Sequence, residues 1–82
     1  MLTDQDSELI NDFYHGIVEA FGRMGVPVRP AGNHEEYNNQ TGEVYLTSFF
    51  FQIGMSRFEL YVNNNVSDKA DRYGWRQVPL MG

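Results

Sequence analysis

The chain has no cysteine among its 82 residues. That excludes disulfides and thiolate metal sites, and it fits a reducing compartment. No apolar run approaches the ~20 residues needed to cross a bilayer, so no membrane role is expected. The first residues carry neither a basic segment nor an apolar one, so no secretory signal is read and the expected location is the cytoplasm. Lys and Arg are missing from positions 1–22, which hold Asp4, Asp6, Glu8, Asp12 and Glu19. From residue 23 onward six bases meet six acids, so the net charge of −5 resides in that first stretch. Clustered Lys and Arg, the requirement for gripping phosphates, are lacking, which argues against direct nucleic-acid binding.

Catalytic patterns are lacking too. There is no glycine-rich phosphate loop before a helix, no Ser–His–Asp spacing and no acid–Lys nuclease pattern, so no cofactor is implied. His34-Glu35-Glu36 combine ligand and acid–base chemistry. Three adjacent residues are not a ligand spacing, however, and His15 has no second His four residues away as in the zinc-helix motif. No metal site is read from them.

What is present begins with a helix at about 4–24. At about 100° per residue, Leu9, Ile10, Phe13, Tyr14, Ile17, Val18, Ala20, Phe21 and Met24 share one half of the wheel. Gln5, Glu8, Asn11, Asp12, His15, Glu19 and Arg23 fill the other. Thr3 and Asp6 have capping-box spacing, with Asp in the usual Glu position. Gly25 can turn left-handed, Val26 can pack back on Phe21, and Pro27 stops the helix.

The prolines of Val26-Pro-Val-Arg-Pro impose extended backbone, giving a short edge strand at about 26–29. Residues 31–42 read as a long polar loop. Residues 43–53 are dense in aromatic and β-branched side chains, the strongest strand signal in the chain. Gly54-Met55 suits a two-residue hairpin turn, which would pair Ile53 with Ser56, Phe51 with Phe58, Phe49 with Leu60 and Thr47 with Val62. The partner strand spans about 57–63. That register gathers Tyr45, Phe49, Phe51, Ile53, Phe58, Leu60 and Val62 on one face, which is assigned to the helix. Residues 67–73 allow a turn or two of helix, capped by Ser67 and stopped at Gly74, and 75–78 form a last strand. The expected fold is a single α+β domain with one long N-terminal helix on an antiparallel sheet of three to four strands.

Two surfaces stand out. Asp4, Glu8, Asp12 and Glu19 fall within an arc of about 80° on the outer side of the helix, a ridge suited to a basic protein surface. Asp4 and Asp6 can instead serve the helix dipole, and Glu19 can pair with Arg23. On the sheet face away from the helix, Val44, Leu46, Phe50 and Tyr61 are more apolar than water requires. A non-enzymatic protein-binding domain follows as the expected function, with Asp4, Glu8, Asp12, Glu19, Phe50 and Tyr61 as partner-binding residues. Its sharpest form is an inhibitor that blocks a nucleic-acid-binding surface, of the phage-encoded anti-defence or anti-CRISPR type, acting in the host cytoplasm. The alternatives are a homodimer or larger assembly built through the aromatic sheet face or an edge strand, and a small metal-dependent enzyme using His34, Glu35 and Glu36.

Overall fold

The computed structural model describes residues 2–79. Helix α1 spans Asp4–Arg23, followed by strands β1 (Val28–Tyr37), β2 (Val44–Ile53) and β3 (Ser56–Asn63), the short helix α2 (Lys69–Arg72) and strand β4 (Tyr73–Val78). The strands form one antiparallel sheet in the order β1-β2-β3-β4. The α+β class, the long helix on the sheet and the short helix before the last strand are as the sequence implies.

Both ends of α1 are fixed by its own sequence. The Asp6 N–H donates to Thr3 Oγ1 at 3.1 Å while Asp6 Oδ2 accepts from the Thr3 N–H at 2.9 Å, a complete capping box. At the other end the Gly25 N–H donates to the Gly22 carbonyl at 3.0 Å and the Val26 N–H to the Phe21 carbonyl at 2.9 Å. Gly25 sits at φ +77°. This is the Schellman arrangement, which needs a left-handed residue after the cap.

The β2–β3 hairpin has the register its turn dictates: Ile53 opposite Ser56, Phe51 opposite Phe58, Phe49 opposite Leu60 and Thr47 opposite Val62. Gly54 takes φ +59° and Met55 stays out of the left-handed region, as a Gly-first turn demands. Phe51, Ile53, Leu60 and Val62 are buried beneath the helix. Tyr14 stacks on Phe51 with ring centroids 5.4 Å apart, Phe13 meets Trp75 edge-on at 4.7 Å, and Trp75 stacks on Phe58 at 5.2 Å. Such pairs add about 0.5–1.5 kcal/mol each beyond the area they bury. No apolar residue of α1 is fully buried, so the helix rests on the sheet rather than sinking into it.

The expected long loop is instead most of β1. Residues 28–37 pair with β2 along its length, with breaks in register between Pro30 and Asn33 and between Glu36 and Tyr37. The connection shrinks to a turn at residues 38–43, where the Asn38 side chain accepts from the Gln40 N–H at 2.9 Å and the Asn38 N–H donates to the Glu43 carbonyl at 2.8 Å. β1 lies at the sheet edge with most of its side chains in water, so pairing required no apolar alternation. At α2 the cap is Asp68 rather than Ser67, its side chain accepting from the Ala70 N–H at 3.0 Å. The helix ends at Arg72, and Tyr73 and Gly74 already belong to β4.

Candidate interaction surface

The acids of α1 divide into two sets. Asp6 is 1% exposed, at the centre of a tight cluster. Its carboxylate accepts from Arg72 Nε at 3.0 Å, Arg72 Nη2 at 2.5 Å, the Tyr73 hydroxyl at 2.5 Å and the Thr3 N–H. The same guanidinium donates through Nη1 to the carbonyls of Asn63, Asn64 and Val66 at 2.9–3.2 Å. One half-buried arginine, its side chain 12% exposed, thus ties the start of α1 to the end of β3 and the entry of β4. The Arg72 hydrogen bonds hold the Asp6 carboxyl far below the usual carboxylate range, against the opposing effect of burial. The Asp6 carboxylate in turn raises the Tyr73 hydroxyl and the Arg72 guanidinium above their ordinary values.

Asp4, Glu8, Asp12 and Glu19 form the second set, and all four are exposed. The two ion pairs among the described residues are Arg72–Asp6 and Arg76–Glu59, so the Glu19–Arg23 pairing open to the sequence is not made. Leu9 is 40% exposed, and it lines a groove with Gln5, Glu8, Asp12 and Phe13 on the β4 side of the helix. On the other side, Leu2, Ile10, Tyr14, Pro30, Phe49 and Phe51 line an open apolar groove of about 430 Å³.

Phe50 and Tyr61 lie on the opposite side of the molecule, on the sheet face that the helix does not cover. Both are half-buried. The Arg57 guanidinium sits 4.8 Å above the Phe50 ring and that of Arg76 sits 5.4 Å above Tyr61. Between them run Ser48 and Glu59, the latter 4% exposed on a face without a covering layer. The Ser48 hydroxyl donates to Glu59 Oε2 at 2.5 Å and Arg76 Nε donates to Oε1 at 2.6 Å. Tyr61 also fills the space above Gly74, where any Cβ would overlap its ring. The six residues singled out from the sequence therefore do not form one surface. The four acids share a helix face, and the two aromatics flank a polar seam behind the sheet.

His34, Glu35 and Glu36 lie in β1 opposite Ser48, Thr47 and Leu46. Strand alternation sends His34 and Glu36 to one face of the sheet and Glu35 to the other. No group of three potential metal ligands occurs among the described residues, and no helix there is long and apolar enough to cross a membrane. No protein-family model, curated protein or solved structure matches this chain.

The structural role of Asp6 was missed in the sequence, although a signal was present. Four residues before Ile10 and seven before Phe13, Asp6 stands on the apolar side of the wheel. An acid at that position either destabilises the core or finds a buried cation.

Proposed function

We propose that the chain is a non-enzymatic protein-binding domain whose outer helix face, Asp4, Glu8, Asp12 and Glu19, docks on a basic surface of another protein. One observation carries this reading: four exposed carboxylates share one face of the helix, and none of them belongs to an ion pair among the described residues. Like charges four residues apart, as in Asp4–Glu8 and Glu8–Asp12, cost a helix about 0.2–0.5 kcal/mol per pair. A partner's Lys and Arg relieve that repulsion and gain long-range steering. The narrowest form is an inhibitor that stands in for phosphates on a nucleic-acid-binding protein, in the manner of a phage-encoded anti-defence or anti-CRISPR protein.

The test is capture from an extract of the source cell, or of its host, at low and high salt. Wild type is compared with Glu8→Gln/Asp12→Gln/Glu19→Gln, shown by circular dichroism to be folded. The expected partner is held by wild type at low salt, released by high salt or by added duplex DNA, and not held by the variant. Equal capture by both proteins at both salt concentrations sinks the acidic face as the binding surface.

A further inference from the structure

The two edges of the sheet differ in their capacity to accept another strand. Which backbone groups point outward follows from the ladder. The Asn64 N–H donates to the Tyr45 carbonyl and the Gly54 N–H to the Pro27 carbonyl. Antiparallel pairs alternate between hydrogen-bonded and non-hydrogen-bonded. In β3, residues 56, 58, 60 and 62 therefore turn their backbone groups to β2, while Arg57, Glu59 and Tyr61 turn theirs to β4. Their partners Val78, Arg76 and Gly74 face inward. The outward N–H and C=O groups of β4 are those of Tyr73, Trp75 and Gln77. The same count on β1 turns Val28, Pro30, Asn33 and Glu35 outward.

The β1 edge is blunted. Pro30 has no N–H to offer, and the register break between Pro30 and Asn33, with Gly32 at φ +106°, spoils the spacing of the donors that remain. The β4 edge has none of these devices. It is an unbroken run of six residues with no proline and no bulge, and Trp75 lies along it at 38% exposure.

We infer that the β4 edge pairs with the β4 edge of a second copy of this chain, in an antiparallel ladder centred on Trp75. The outward set at 73, 75 and 77 is symmetric about its middle member, the condition a two-fold interface imposes. Trp75 meets Trp75 of the second copy, and Tyr73 meets Gln77 in both directions, so every outward N–H and C=O of the edge finds a partner. The two-fold axis stands perpendicular to the joined sheet. Both indole rings then fall on the helix side, where each is already backed by Phe58 and Phe13. Leu9 borders the same side of the helix at 40% exposure. Arg76 falls opposite the glycine at 74 of the other copy, so no arginine directly faces another.

The surface area of the chain leaves room for a partner of that size. The chain exposes 5843 Å², against about 5,000 Å² for a monomer of this mass. The surplus of about 800 Å² is what one partner buries in a standard protein interface. The radius of gyration of 13.7 Å and the thickness of 17 Å describe a slab, extended for its length, where a compact chain of this size has a radius near 12 Å. The joined sheet would be eight strands wide with both helices on one face. The pairing stands independently of the acidic-face reading, though it would set two acidic rows side by side.

Sedimentation equilibrium from micromolar to millimolar concentration tests the pairing, beside hydrogen exchange read residue by residue. Wild type should reach twice 9.5 kDa, with the amides of Tyr73, Trp75 and Gln77 slowing at least tenfold as the dimer forms. Gln77→Pro removes one outward N–H and leaves the β3 ladder untouched, so it should remain folded and monomeric at concentrations where wild type is paired. A wild-type mass of 9.5 kDa throughout, or a dimer in which those three amides exchange as fast as in dilute solution, overturns the inference. The exchange readout on wild type decides the matter even if Gln77→Pro does not fold.

Discussion

The two sides of α1 carry the same kind of residue in opposite circumstances. On the side toward the sheet, Asp6 is buried and saturated by Arg72, Tyr73 and Thr3. On the side toward water, Asp4, Glu8, Asp12 and Glu19 are exposed and outside the described ion pairs. Acidity in this helix is thus not one property. One carboxylate is an anchor without which the helix start loses its hold on β4. Asp4 lies in the first turn, where a negative charge favours the helix dipole, whereas Glu8, Asp12 and Glu19 make no ion pair among the described residues and are available to something outside the fold.

Breaking the anchor gives the largest expected effect. Asp6→Ala leaves the half-buried Arg72 guanidinium without its counter-charge, a loss of up to about 3–5 kcal/mol, the figure for a fully buried pair. A domain of this size has about 4–12 kcal/mol in total. Urea unfolding should place the variant near or past the edge of folding at 37 °C. The pH dependence carries the same signature. Because the Asp6 pKa is depressed on folding, its contribution is complete above the unfolded value of about 3.9 and drains away as pH falls below it. Wild type should lose stability steadily below about pH 4, and Asp6→Asn should start lower and fall less over the same range.

A smaller effect is expected behind the sheet, where the tyrosine at 61 rests on Gly74. Gly74→Ala forces the ring aside and loosens its stack with Arg76, a steric cost of about 1–3 kcal/mol. Thermal melting of this variant, with and without Tyr61→Ala, measures it. If Gly74→Ala costs nothing while Tyr61 is intact, the ring does not rest on Gly74.

How much of this was legible depended on the range of the interaction. The hairpin register was readable because a two-residue turn at Gly54-Met55 leaves one alignment that puts Phe51, Ile53, Leu60 and Val62 on one face. The helix was readable from its period and from Thr3, Gly25 and Pro27 at its ends. β1 was not, because an edge strand needs only backbone partners, and Ala31-Gly32-Asn33-His34-Glu35-Glu36 carries no apolar alternation. The Asp6–Arg72 pair joins residues 66 positions apart. No local pattern encodes such a contact, although an acid on the apolar arc marks where a partner has to be. The burial of Glu59 was hidden for the opposite reason. An alternating strand assigns Glu59 to water, and it is the Ser48 and Arg76 side chains that hold it in place, beside the Arg57–Phe50 and Arg76–Tyr61 stacks.

The division of the helix into an anchored and an unspent side is tested most directly by removing charge from the outer side alone. Glu8→Gln/Asp12→Gln/Glu19→Gln should unfold in urea at or above the wild-type midpoint. The gain should be about 0.5–1 kcal/mol from relieved repulsion, shrinking as salt screens the charges in wild type. A variant less stable than wild type by more than about 1 kcal/mol would contradict the account. It would mean that the outer carboxylates, like Asp6, are committed to the fold rather than left for a partner.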